Sequence, residues 1–327
     1  MKRLLLIFFL LLNLQADEKY TLGEGLQVGS LPFYLGGYIS ADYKKTEHET
    51  SYRLDDIALL AYGSYEKFSY LAELEFKEFY TYIDTGEETN IEKNRHLYTE
   101  RVYADYTHDE NFMFRFGKYS SNVGFWNLLP INVLRETTSS PVSVSILFPK
   151  FTTGMDASYT SFSDGELKIN TTLQHNEGID DGYNNYVVDK HYGFGISYEK
   201  DAYVFKFNSG YFHTKNFTDH DLFYALASVK YETDSVQILT EIGSQKDKDK
   251  FTTKYAGYVQ GLYRFNEHHI GVLRAESYEH TIINQDDNMM IIGYTYRPLY
   301  PVAIKTEYQF HEVDDNNQLI FSFSVLF

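Results

Sequence analysis

The chain has 327 residues, a formal net charge of −17 and no cysteine. The acidic excess argues against nucleic acid as a partner, because phosphate backbones demand a basic surface. The absence of cysteine excludes a small disulfide-stapled secreted scaffold. Aromatic residues make up 17%, with 31 Tyr and 25 Phe against only 6 Pro, a composition suited to hydrogen-bonded strands with amphipathic Tyr at membrane–water boundaries.

The chain starts Lys2-Arg3, continues through the apolar run Leu4 to Leu12 and reaches Asn13-Leu14-Gln15-Ala16. A basic start, a short apolar core and a small residue form a secretory leader, predicted over 1–16 and cleaved after Ala16. Its nine apolar residues are too few to span a bilayer, and no later run reaches the roughly 18 that a membrane helix needs. Residues 17–30 are too short to fill a lumen and are expected either to form a short periplasmic tail or to continue into the first strand.

From residue 31 the pattern is one of alternating segments punctuated by turn residues. Strands are predicted over 31–45, 52–64, 68–82, 97–108, 112–120, 150–161, 166–176, 189–200, 202–214, 221–233, 235–245, 251–266, 269–280, 288–298, 299–311 and 317–327. The dyad is clean in several. Phe68, Tyr70, Ala72, Leu74 and Phe76 alternate with Ser69, Leu71, Glu73, Glu75 and Lys77, and Tyr203, Phe205 and Phe207 alternate with Val204, Lys206 and Asn208. In the last segment Leu319, Phe321, Phe323, Val325 and Phe327 share one face. A soluble sandwich has the same period with the faces exchanged. The leader, the aromatic load and the terminal Phe decide for an all-β transmembrane antiparallel barrel of about 16 strands over 31–327, in the bacterial outer membrane.

Seven connections are short: 65–67, 108–111, 163–165, 200–201, 233–234, 266–268 and 297–298. Those at the other end are mostly longer and acidic, with Glu47, Glu49, Asp84, Glu87, Glu88, Asp180, Asp181, Asp286 and Asp287. Such acids keep the loops soluble; a sharper reading has them bind divalent cations that bridge to lipopolysaccharide. The connection 121–149 differs from all others. It holds the sole tryptophan, Trp126, with Pro130, Pro141 and Pro149, and is too apolar for water: Val123, Phe125, Leu128, Leu129, Ile131, Val133 and Leu134. A long irregular segment of this kind is usually functional, and the barrel interior is available to receive it.

A sixteen-strand pattern with its longest loop between strands five and six resembles the bacterial general porins. The run Gly117-Lys118 to Gly124-Phe125-Trp126-Asn127 also resembles the superfamily that includes phosphate-selective porins. The resemblance implies a loop folded into the lumen as a constriction, a possible homotrimer, and an assembly signal in Phe323, Val325 and Phe327 for the barrel-assembly machinery. The outer loops here are modest, so substrate selectivity does not carry over.

The dyad puts both signs of charge in the lumen. The acids are Glu73, Glu75, Asp105, Asp156, Glu199, Glu232, Glu241 and Glu307; the bases are Lys77, Arg101, Arg115, Lys168, Lys206, Lys230, Arg297 and Lys305. Selectivity follows the charges at the narrowest point. Arg101, Arg115, Lys118 and Arg135, set against Glu136 and nearby acids, are therefore expected to form a transverse field beside Trp126; structural ion pairs that pin the loop are the alternative. Gly23 to Gly29 lacks the spacing and the βαβ setting of a dinucleotide loop. His268-His269 lacks a third metal ligand, and no Ser/His/acid set stands out. The chain is thus expected to be a non-enzymatic, cofactor-free, water-filled channel for passive diffusion of small hydrophilic solutes and ions. The alternatives are a substrate-specific channel and a non-conducting adhesive or structural barrel.

Overall fold

The fold is described by a computed structural model that covers residues 19–30, 32–215, 220–281, 285–312 and 316–327. The predicted leader 1–16 lies outside the described residues. Sixteen long strands form the wall: β1 Phe33–Lys45, β2 Thr50–Tyr65, β3 Phe68–Asp84, β4 Tyr98–Thr107, β5 Phe112–Ser120, β6 Phe151–Phe162, β7 Glu166–Gln174, β8 Val188–Lys200, β9 Tyr203–Thr214, β10 His220–Glu232, β11 Val236–Lys246, β12 Phe251–Arg264, β13 His269–His280, β14 Gln285–Leu299, β15 Val302–His311 and β16 Gln318–Leu326. Each pairs antiparallel with the next, and β16 pairs with β1 from Leu319↔Lys45 to Leu326↔Tyr38. Closure leaves the sixteen-strand wall without a free edge, the condition for a sheet to cross lipid.

Alternation sets the two faces. Phe205, Ile242 and Leu273 stand exposed outside, while Lys206, Glu241 and Arg274, one position on or before, are buried inside. On β16, Phe321 and Phe323 face outward and Ser322 and Ser324 inward. Apolar residues outside and polar ones inside are the arrangement of a membrane barrel, the reverse of a soluble sandwich.

One detail differs from the sequence expectation. The predicted turn at 297–298 lies at Tyr300-Pro301, where Leu299 pairs with Val302. Arg297 stays in the wall because it is bonded inside the lumen, and Pro298 sits where the β14–β15 register shifts, a place that tolerates a missing donor. The 17–30 segment, described from Lys19, takes the second of its two expected courses and leads into the first strand. Tyr20–Thr21 pairs with Gly25–Gln27, which pairs with β1 through Leu26↔Leu35 and Gln27↔Tyr34.

The chain end closes the seam. Phe327 N–H donates to the Gly37 carbonyl at 2.8 Å, and Gly37 N–H donates to the Phe327 carbonyl at 2.7 Å. A Cβ on Gly37 would lie 2.3 Å from the Ala58 carbonyl oxygen and 3.0 Å from the Phe327 ring, so close backbone approach requires glycine there.

Candidate functional site

The connection 121–149 turns into the barrel. It forms two single 3₁₀ turns, Trp126–Leu128 and Asn132–Leu134, and one short helix, Val142–Ile146. Val123, Trp126, Val144, Leu147 and Phe148 pack on inward side chains Phe212, Leu222, Tyr224, Leu226, Leu239, Ala256 and Tyr258. One side of the lumen is thereby filled with an apolar core. Ile131 and Val133 pack in a second cluster with Tyr38, Ala58, Leu60 and Ala303.

Polar wall residues satisfy the backbone of this buried loop, as burial requires. Asn208 accepts from Gly124 N–H at 3.1 Å, and Glu241 accepts from Phe125 N–H. Glu307 accepts from Thr138 and Ser139 N–H at 3.0 and 3.1 Å, and Glu276 from Val142 N–H at 2.9 Å. Lys206 donates to the Gly124 carbonyl at 2.8 Å and Lys305 to Asn132 Oδ1 at 2.6 Å. Arg274 donates to Ser139 Oγ at 2.7 Å and lies 5.3 Å over the Trp126 ring. Arg297 pairs with Glu136 at 3.0 Å and donates to the Val133 carbonyl at 2.8 Å. Glu276 and Arg274 were not among the expected lumen charges. Their inward neighbours on β13, Ile270 and Val272, are apolar, so that face carries no clean polar stripe.

Between the loop and strands β1–β4 a polar cleft remains. Its two chambers, of about 270 and 190 Å³, share Lys77, Glu100, Pro130, Arg135, Ser140 and Tyr183. The wall contributes Asp55, Asp56, Glu75, Glu78 and Glu100 with Arg53 and Lys77; the loop side contributes Arg135 and Lys150. A third cavity of about 360 Å³ lies toward the short turns, between Glu136, Arg264, Glu267 and Arg297. Leu129 borders both it and the cleft.

Three strand irregularities create the acidic wall. Asp55 and Asp56 bulge where Ile39↔Ile57 gives way to Ala41↔Leu54, and Ser40 Oγ donates to Asp56 at 2.7 Å. Glu78 has φ +49° and lies between Asp56↔Lys77 and Leu54↔Tyr80. Glu100 is the extra residue between Glu73↔Arg101 and Leu74↔Thr99. Bulges re-aim side chains next to functional sites. Strict alternation therefore misses Glu78 and Glu100 and admits only one of the adjacent Asp55 and Asp56. Tyr183, from the connection after β7, was missed because that loop was read as solvent-exposed.

The expected constriction residues separate into groups. Glu75, Lys77 and Arg135 line the cleft, and Trp126 borders it from the apolar core. Arg101 is paired with Glu73, which also accepts from Tyr38 at 2.7 Å. Arg115 is paired bidentately with Asp105 at 2.6 and 2.8 Å. Lys118 is buried and donates to the carbonyls of Thr99 and Asp180, both at 2.8 Å. Glu136 is paired with Arg297. The expected field of Arg101, Arg115, Lys118 and Arg135 against Glu136 is thus corrected. Of these bases only Arg135 faces the cleft, and the acids opposite it belong to the wall. Strand ion pairs and carbonyl bonds hold the other bases, because a buried charge must be matched where it sits.

Arg135 has no carboxylate within ion-pair distance among the described residues. It donates to Ser140 Oγ at 3.0 Å and to the Pro130 carbonyl, while its inaccessible Nε has no hydrogen-bond partner. Burial holds its pKa below the usual guanidinium value. Burial, reinforced by Arg135 and Lys77, lowers Lys150 to about 8. Among the described residues no group of three or more His, Asp or Glu is arranged to hold a metal ion.

No family model matches the sequence, and no curated protein does. Solved structures match along nearly the whole chain. OmpF of Salmonella typhi superposes with a TM-score of 0.62 at 11% identity, over 95% of this chain and 100% of that one. An anion-selective porin from Comamonas acidovorans gives 0.62 at 10% identity, over 90% and 99%. OmpT, an outer-membrane protein of Vibrio cholerae, gives 0.60 at 10% identity, over 90% and 97%, and OmpT is also described in a trimer form. Closed sixteen-stranded wall, inward loop and residual polar cleft together give this chain the fold of the bacterial outer-membrane porins.

Proposed function

We propose that the protein is an outer-membrane porin, a channel through which small hydrophilic solutes and ions diffuse passively. The observation that carries this reading is the polar cleft left between the inward loop and the β1–β4 wall. A barrel whose loop filled the whole lumen would serve adhesion or structure instead. Selectivity would arise where Arg135 and Lys150 oppose Asp55, Asp56, Glu75, Glu78 and Glu100, since charge at a narrow point governs passage. The reading includes a cleaved leader over 1–16, delivery by the barrel-assembly machinery through Phe323, Val325 and Phe327, and lipopolysaccharide against the outer rim. A homotrimer is the proposed assembly, by analogy with OmpT of Vibrio cholerae; light scattering of detergent-extracted protein tests it.

Proteoliposome swelling tests the channel. Pentoses and hexoses should enter, while an oligosaccharide too wide for the cleft should not. Equal exclusion of all sugars by folded, inserted protein would reject passive diffusion.

A further inference from the structure

A second connection reaches the cleft. Residues 175–187 join β7 to β8 at the end of the barrel that carries the long connections, and both flanks of the segment are fastened. On the wall side, Thr99 N–H of β4 donates to the Asp180 carboxylate at 2.6 Å, and buried Lys118 of β5 donates to the Asp180 carbonyl at 2.8 Å. Ile179 N–H donates to Thr153 Oγ of β6 at 3.1 Å. On the loop side, Asn185 accepts from Lys150 N–H at 2.9 Å and donates to the carbonyls of Ser145 and Phe148 at 3.1 and 2.8 Å. The Tyr186 hydroxyl donates to the Ile146 carbonyl at 2.7 Å. Residues 181–184 are therefore strung from the wall to the inward loop, across the cleft that separates them. Asn184 N–H closes a turn there on the Asp181 carbonyl at 3.0 Å.

Tyr183 is carried in that turn and borders both chambers of the cleft. Its ring centre lies 5.4 Å from the Lys77 ammonium and 5.1 Å from the Tyr98 ring centre, within reach of cation–π and aromatic contact. The residue is nonetheless 37% exposed, so the ring takes up open space in the cleft instead of filling a packed core. None of the ties that fasten the segment passes through the ring. Its bulk can thus change with the segment still in place.

The free width beside the bulkiest side chain of a fastened bar sets what passes. We propose that Tyr183 is the size-determining residue of the passage. The connection 175–187 supplies the steric filter, and the loop 121–149 is the floor to which that filter is tied. The ring acts by bulk, on uncharged and charged solutes alike. This inference rests on the channel reading.

The test is swelling of liposomes holding purified protein, with uncharged sugars of rising size: a pentose, a hexose, a disaccharide and a trisaccharide. In Tyr183→Ala the disaccharide rate relative to pentose should rise about threefold or more, while pentose entry stays within about twofold of wild type. Tyr183→Phe keeps the ring and should match wild type, and Tyr183→Trp should slow the hexose relative to pentose. Leu129→Ala widens the same cleft from the inward loop and should leave the size ratios unchanged. If Leu129→Ala shifts the ratios as far as Tyr183→Ala does, the limit belongs to the loop 121–149 and the proposal is wrong. Unchanged ratios in both Tyr183→Ala and Tyr183→Trp, with pentose still entering, would likewise overturn it and leave the channel standing. If no sugar enters through wild-type protein, the channel reading fails and this inference with it.

Discussion

Lys150 is the side chain in the cleft most open to a direct pH test. Burial, with Arg135 and Lys77 nearby, brings its pKa to about 8. Below that pH its ammonium adds positive charge to the loop pole, and above it that charge is gone. Cation preference should therefore rise between about pH 7 and pH 9, read as a shift in reversal potential. Lys150→Met should show the high-pH preference throughout and lack the step. At this scale the sequence was informative only where alternation holds. Glu75 and Lys77 occupy inward positions that period two predicts. Of the adjacent Asp55 and Asp56 period two admits only one, and it points Glu78 and Glu100 outward, because a bulge shifts the phase of the pleat at each place and no residue type in Leu54-Asp55-Asp56-Ile57 announces it. Arg135 is legible as a charged residue of the long loop, but its opposing partners follow only from the register of β2 to β4.

The inward loop is held by an apolar core on one side and by charged wall residues on the other. Arg297 is the densest of these ties, bonded to Glu136, to the Val133 carbonyl and to the Arg135 carbonyl at 3.2 Å. Removing one partner of a buried pair leaves the other charge uncompensated, at a cost of about 3–5 kcal/mol. Arg297→Leu should leave a barrel that inserts but whose current flickers between conductance levels, recorded in single-channel traces. Phe148 is fully buried in the apolar core. Phe148→Ala should remove roughly 3–5 kcal/mol of packing and produce the same flicker with a lower midpoint of thermal unfolding. The seam has its own test. Gly37→Val would drive a side chain against the Ala58 carbonyl and the Phe327 ring. It should slow assembly, seen as unfolded protein that migrates at its heated position on unboiled gels; normal folding yields would remove the seam from the list of constraints. The loop's insertion was legible from its apolar residues alone. Which strands receive it was not, since that depends on contacts across more than a hundred residues, such as Glu241 with Phe125.

Over the whole molecule, sixteen segments, their even number and the alternation of short and long connections were all readable, because each is a local pattern repeated around a ring. Boundaries shifted where lumen bonds override turn residues, as at Arg297-Pro298. Net charge was a poorer guide. The value of −17 gives no position, and many lumen charges are paired within the wall or spent on the loop, as with Arg115–Asp105 and Glu307. On the channel reading proposed above, a passing ion would meet the cleft, where five carboxylates face four bases, and a rim rich in Asp and Glu. Both favour cations. The decisive measurement is the current through refolded protein in a planar bilayer under a potassium chloride gradient. Discrete, stable conductance steps with a reversal potential on the cation side are the expected result. Absence of steps from demonstrably folded and inserted protein would contradict a water-filled passage past the loop, and steady steps with anion preference would contradict the acidic wall as its selectivity filter.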